Sequence, residues 1–309
     1  MSSPPIYKNI LHNGLDFLLH SFREIDDTDE YEVSEDFVDT LPKYLTIDLA
    51  AATELILKAR LCKEHWSLIF QSIEQASLDT LNTGDFSSVN FDTCIKRLEK
   101  IASVSLPRDS LDTLYKLRAQ RNLYEHFRLT PDSYAIIPLA ARCLDTILDV
   151  AVAWFDPSDF DMDASRTLEA LRPRLSRFED LRQHRLQRLS EQLERLRTVN
   201  RLANCPTCGE NTLEIGPTNK CLFCHWAEEA SETARIVAEY EEQLREKDEI
   251  QLKLFPMPPL PYVSTVYCPK CGVKSYLVRS KDRNGIEVVS AICYSCGHSV
   301  EAASKYLPA

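Results

Sequence analysis

The sequence predicts a mainly α-helical protein: an N-terminal antiparallel helical bundle, long connecting helices and two small four-cysteine ribbons. Three observations predict this. Apolar residues recur at three- and four-residue spacing through most of the first 155 residues, the period of a helix with one buried face. Few β-branched alternations interrupt them. Eight of the 11 cysteines fall into four Cys-x-x-Cys pairs after residue 204, which is metal-ligand spacing. At 309 residues, 44% apolar and 27% charged, the composition is that of an ordinary globular protein, long enough for two or three domains and a sizeable core.

Residues 6–22 place Ile6, Ile10, Leu11, Leu15, Leu18 and Leu19 on one helical face. The acidic stretch EIDDTDEYEVSEDF that follows reads as a solvated loop. A long pattern from Leu45 to Leu78 includes Leu49, Ala52, Ile56, Ala59, Trp66 and Phe70. A third segment spans Phe91 to Val104. The fourth follows Pro107-Arg108-Asp109 and ends before Pro131, and the fifth runs from Ser133 to Phe155. Four or five such helices joined by short loops make a bundle, here residues 1–160.

Two places in the bundle are chemically unusual. One is Glu54 with Lys58 inside the otherwise apolar ATELILKARL; an i,i+4 pair on a helix face is worth only a few tenths of a kcal/mol. The other is Arg121-Asn122-Leu123-Tyr124-Glu125-His126, near the end of the fourth helix. An arginine and a histidine five residues apart are most often surface residues, or a histidine in a satisfied core hydrogen bond.

Together, a long apolar helix and an Arg-polar-x-x-x-His run near the end of an all-α region resemble the HEPN family. Its ribonuclease members carry Arg-x4–6-His, usually with Asn, Asp or His after the arginine. Arg121, Asn122 and His126 fill those positions, and the resemblance covers roughly residues 1–155. It implies a metal-independent endoribonuclease of a prokaryotic defence or toxin system, in which two motifs face each other across the two-fold axis of a homodimer. It also implies restraint by an antitoxin or activation by a trigger molecule.

The residue types suit that chemistry. Cleaving RNA to a 2′,3′-cyclic phosphate requires the 2′-OH to lose its proton, the phosphorane charge to be met and the 5′-oxygen to gain a proton. An imidazole titrates near neutrality and serves as acid or base, the role for His126. A guanidinium fork fits phosphate oxygens, the role for Arg121. Asn122 orients the imidazole or binds an oxygen. One copy supplies one imidazole, and a two-fold interface would supply the second.

The C-terminal part predicts two zinc sites. Cys205-Pro-Thr-Cys208-Gly is followed by Cys221-Leu-Phe-Cys224-His, and Cys268-Pro-Lys-Cys271-Gly by Cys293-Tyr-Ser-Cys296-Gly. Two such knuckles close a four-thiolate site, and with all four positions filled the two Zn²⁺ ions are structural rather than catalytic. The stretch from Ser275 to Ile292 alternates around Asn284-Gly285, a hairpin signal. The first ribbon (204–226) has a weaker hairpin than the second (262–309). His225 and His298 are bystanders beside complete cysteine sets. Disulfides are disfavoured in the cytoplasmic setting that the sequence suggests. Cys62, Cys94 and Cys143 lie on apolar helical faces and read as core.

Residues 161–203 read as an Arg-rich amphipathic helix entered near Pro173, with ten arginines and five acids in 165–202. Self-pairing in a dimer, phosphate contact, and packing on the bundle with solvated arginines all fit it. Residues 227–261 read as an acidic helix, able to lie on the Arg-rich one, and a stiff Pro256–Pro261 spacer.

Charge is uneven. The formal charge of −11 excludes a generally basic nucleic-acid coat. All of it belongs to residues 1–160, with 15 Lys+Arg against 26 Asp+Glu, and ten of those acids lie between Glu24 and Asp48. The segment from Arg108 to Arg128 is locally +2. The N-terminus lacks a signal-peptide pattern, and no apolar run approaches the roughly 20 residues of a membrane helix. Two functions remain: a HEPN-type endoribonuclease acting on RNA, and a non-catalytic zinc-ribbon adaptor or regulator, binding nucleic acid or protein, whose bundle only dimerises.

Overall fold

The computed structural model describes residues 6–30, 41–127, 135–251, 260–281 and 288–301. It is mainly helical, with two small antiparallel sheets near the C-terminus. The chain forms two compact units, Met1–His184 and Arg185–Ala309. Among the described residues no helix is long and apolar enough to cross a membrane.

The first unit starts with α1 (Ile6–Glu30) and α2 (Leu41–Glu64). Gly14 lies against Ile56 and His20 hydrogen-bonds Asp48 at 2.7 Å, so the two helices run antiparallel. A Cβ at Gly14 would stand 2.9 Å from Ile56 Cγ1, so the close approach requires glycine there. α1 begins at Ile6 as expected but runs on to Glu30, so the first part of the acidic stretch is helix, not loop; residues 31–40 lie outside the described residues.

The long pattern ending at Leu78 is not one helix. α2 stops at Glu64, and two 3₁₀ turns follow, Trp66–Ile69 and Ile73–Gln75. The apolar residues there are buried another way. Phe70 bridges to Ser88 and stacks on Phe86 at 4.1 Å, while Arg97 donates to the carbonyls of Leu68, Phe70 and Gln71. Those carbonyls, lacking helical partners, are satisfied by one guanidinium.

The short α3 (Leu78–Thr83) is capped by Ser77, and α4 (Phe91–Lys100) by Asn90, whose side chain accepts from Thr93 N at 2.9 Å. α5 (Arg108–His126) buries only Leu114 and Leu117. α6 (Ile136–Ala153) is the core helix, with Leu139, Cys143, Leu144, Ile147 and Leu148 buried. A 3₁₀ turn at Pro157–Asp159 closes against α1, with Tyr7 donating to Asp159 at 2.9 Å.

The Arg-rich segment is two helices, α7 (Met162–Leu175) and α8 (Glu179–Thr198). Pro173 removes an N–H from the last turn of α7, and the Ser176 hydroxyl takes up the Pro173 carbonyl at 3.3 Å. The chain then turns, with Leu175, Phe178 and Leu181 all buried.

In the second unit, β1 (Leu202–Ala203), β2 (Leu213–Glu214), β3 (Thr218–Cys221) and β4 (Ala227–Glu229) form a four-stranded antiparallel sheet in chain order. α9 (Ala230–Gln251) follows. A second sheet of the same order comprises β5 (Tyr262–Val266), β6 (Tyr276–Ser280), β7 (Val288–Cys293) and β8 (Ser299–Glu301). β6 and β7 pair antiparallel as the hairpin signal requires, while Asn284-Gly285 itself lies outside the described residues. α9 packs on strands of both sheets, with Glu241 holding Arg279 at 2.5 Å. Most of the Pro-rich spacer lies outside the described residues.

Candidate functional site

The first candidate is a cleft of about 320 Å³ between α1, α2, α4 and α5. Glu54, Lys58, Arg118 and Arg121 line it beside Asn13 and Phe91. Lys58 Nζ lies 2.6 Å from Glu54 and donates to Ser88 Oγ at 2.9 Å. The Arg118 guanidinium sits 4.6 Å over the Phe91 ring. Three cations and one carboxylate around a small concave space suit an anionic ligand.

Arg121, the arginine of the motif, is therefore in the cleft. Its Nε meets Glu125 at 2.8 Å, with side chains 40% and 30% exposed. An ion pair that open is worth about 0–1 kcal/mol, so a phosphate can displace it. Asn122 Oδ1 lies 3.5 Å from Arg121 Nη1, which ties Asn122 to the arginine rather than to the histidine. His126 ends α5 and is exposed, outside the cleft lining. Leu123 and Phe127, one turn apart beside it, are 47% and 70% exposed. Arg118, one turn before Arg121 and one of the basic residues that make the 108–128 segment locally +2, also lines the cleft.

The second candidate is a pair of metal centres. Cys205, Cys208, Cys221 and Cys224 form one cluster and Cys268, Cys271, Cys293 and Cys296 the other, all sulfurs of a set within 4.8 Å of one another. Cys205–Cys224 and Cys208–Cys221 are 3.7 Å apart, Cys268–Cys296 3.8 Å and Cys271–Cys293 3.6 Å. A disulfide would need about 2.05 Å. Tetrahedral Zn–S bonds of about 2.3 Å put sulfurs about 3.8 Å apart, so the donor set fits zinc.

Both knuckles turn donors toward sulfur. Thr207 N and Lys270 N lie 3.4 Å from Cys205 Sγ and Cys268 Sγ. Thr212 Oγ1 lies 3.2 Å from Cys221 Sγ, and Ser275 Oγ 3.4 Å from Cys293 Sγ. Such contacts orient the ligands and delocalise thiolate charge. His225 Nε2 is held by Arg185 at 2.6 Å, and His298 stacks on Tyr276, so neither joins a cluster. Cys62, Cys94 and Cys143 are buried, and burial pushes their thiols up to about 11, 12 and 12. They are core residues.

Compared with protein-family models, curated proteins and solved structures, the chain matches none.

Proposed function

We propose that the helical unit is a HEPN-type, metal-independent endoribonuclease that cuts RNA through attack of the 2′-oxygen on phosphorus. The observation that carries this reading is the cleft, where Arg121 of the motif shares a pocket with Lys58 and Arg118 inside an otherwise acidic region. A scissile phosphate held by these cations has its developing charge met in place. His126 of one copy takes the 2′-OH proton. His126 of a second copy gives a proton to the departing 5′-oxygen, leaving 2′,3′-cyclic phosphate and 5′-OH ends. Exposed Leu123 and Phe127 beside His126 offer apolar area for that two-fold contact. Zinc held by the two cysteine clusters is structural, and the ribbons position substrate or read a trigger.

Cleavage of tRNA and mRNA without added divalent cations tests the reading. Wild type should give cyclic phosphate ends and sediment as a dimer. Arg121→Ala and His126→Ala should lose about 10²-fold or more in rate. One observation favours the rival, a non-catalytic adaptor: His126 stands outside the cleft and touches neither Arg121 nor Asn122 among the described contacts. That rival predicts RNA binding without turnover, unchanged by Arg121→Ala.

A further inference from the structure

The two ribbons repeat one backbone plan, so equivalent surface positions can be compared directly. Cys205 N donates to Glu210 O at 2.9 Å, and Cys268 N to Val273 O at 2.9 Å. Gly209 N donates to Cys205 O and Gly272 N to Cys268 O, with φ of 78° and 73° at the two glycines. The first knuckles are thus the same loop. Around it ribbon 1 carries Asn204, Thr207, Glu210 and Asn211, where ribbon 2 carries Tyr267, Lys270, Val273 and Lys274.

Folding does not require the second set, since ribbon 1 closes the same loop with small polar and acidic residues. Yet Tyr267 is 70% exposed and Val273 38%, with Lys270 and Lys274 exposed beside them. Among the described residues neither lysine enters an ion pair. No acidic residue occurs between Gln251 and Asp282. The hydrogen bond from Cys268 to Val273 closes the loop, so Tyr267 and Lys274 flank its base and Lys270 sits in its turn.

We propose that this knuckle of ribbon 2 is a binding site for single-stranded RNA. A base stacks on Tyr267, and flanking phosphates pair with Lys270 and Lys274. A ring face between cations matches the alternation of base and phosphate along one strand. A duplex hides its base faces. An acidic peptide would satisfy the lysines but offers no ring to cover Tyr267. This site shares no residue with the cleft and does not depend on cleavage there.

The test titrates the full-length protein against a short fluorescein-labelled 2′-O-methyl oligoribonucleotide, read by anisotropy. The blocked 2′-oxygen keeps the probe intact whether or not the chain cuts RNA. Tyr267→Ala should weaken binding about tenfold. Lys270→Gln with Lys274→Gln should flatten the slope of log K against log salt by about 1.4. Asn204→Ala with Asn211→Ala in ribbon 1 should change neither. Zinc content by mass spectrometry checks that each variant keeps both ribbons. The proposal is overturned if both ribbon 2 variants keep both ions and bind like wild type. It is equally overturned if the ribbon 1 variant weakens binding as much, or if polyglutamate competes the probe off the wild-type knuckle at equal charge.

Discussion

In ribbon 1 all four ligand cysteines are buried, and Arg185 packs behind the second knuckle at 0% exposure. In ribbon 2 Cys271 is exposed, Cys296 is half-buried, and a tyrosine stands open beside the cysteine cluster. The four-cysteine sets and loop hydrogen bonds are the same, so the chemistry of the donor set does not distinguish the two. What differs is the second layer. Ribbon 1 is wrapped into its unit by α8, while ribbon 2 keeps one knuckle facing water. One site serves as a foundation and the other as a surface.

The largest effect should come from removing a ligand on each side of that comparison. Structural zinc in small domains contributes about 10–16 kcal/mol of apparent binding energy that is also folding energy. Cys221→Ser should therefore abolish zinc at ribbon 1 and, by releasing the loop that Arg185 holds, remove the main cooperative melting transition of the second unit. Cys271→Ser leaves three ligands at an open site, and should cost ribbon 2 its ion while ribbon 1 stays folded. Chelator titration of wild type should release zinc in two phases, the exposed cluster first. Simultaneous release of both ions would erase the distinction.

A smaller effect separates the two buried-side arginines. Arg185 Nε donates to Phe223 O at 2.6 Å, Nη2 holds His225, and the guanidinium lies 5.8 Å from the Phe223 ring. Arg185→Ala leaves a buried carbonyl without its charged donor and a void, at a cost of about 3–5 kcal/mol. Lysine should not rescue it, lacking the planar fork. Arg279 holds Glu241 with both side chains about a quarter exposed, 24% and 25%. Arg279→Ala should cost about 1 kcal/mol. Urea denaturation of the two variants measures the difference directly; equal midpoints would mean that Arg185 is not an anchor.

Features that depend on neighbours in the chain were legible in the sequence. The eight clustered cysteines pair up because a CxxC knuckle is a local structure, turned by glycine in three cases and by His225 in the fourth. α5 starts at Arg108, directly after Pro107, where the Pro-Arg-Asp run marks a helix start. Features decided by tertiary contact were not legible. The pattern through Trp66, Ile69 and Phe70 satisfies helical spacing, yet Arg97 from α4 captures the carbonyls and fixes 3₁₀ turns instead. Self-pairing, phosphate contact and solvation all fit the arginines of the Arg-rich segment, yet Arg185 is wholly buried because ribbon 1 supplies carbonyls to it. In the cleft, Arg121 stood out only through its motif. Arg118 is its neighbour one turn away on α5, but bringing Lys58 to them needed α2 and α5 to meet, which no local spacing encodes.

The smallest and most symmetrical test lies at the residue after the fourth ligand of each ribbon. Both residues adopt the left-handed backbone, Gly297 at φ 72° and His225 at φ 58°. At Gly297 an added Cβ would stand 2.2 Å from the Asn200 carbonyl oxygen, an overlap with backbone that no side-chain rotation relieves. Gly297→Ala should thus cost the φ penalty of about 1 kcal/mol and, beyond it, the displacement of the chain after α8, about 2–4 kcal/mol in all. At His225 the terms oppose each other. Glycine would relieve about 1 kcal/mol of backbone strain. It would also lose the hydrogen bond to Arg185 and gain unfolded-chain entropy, together about 1–2 kcal/mol. His225→Gly should therefore shift the unfolding midpoint by little, in the destabilising direction, while Gly297→Ala shifts it clearly. A large loss at His225 would mean that the imidazole, through Arg185, carries more of ribbon 1 than the knuckle does, and the foundation would then lie in α8 rather than in the metal.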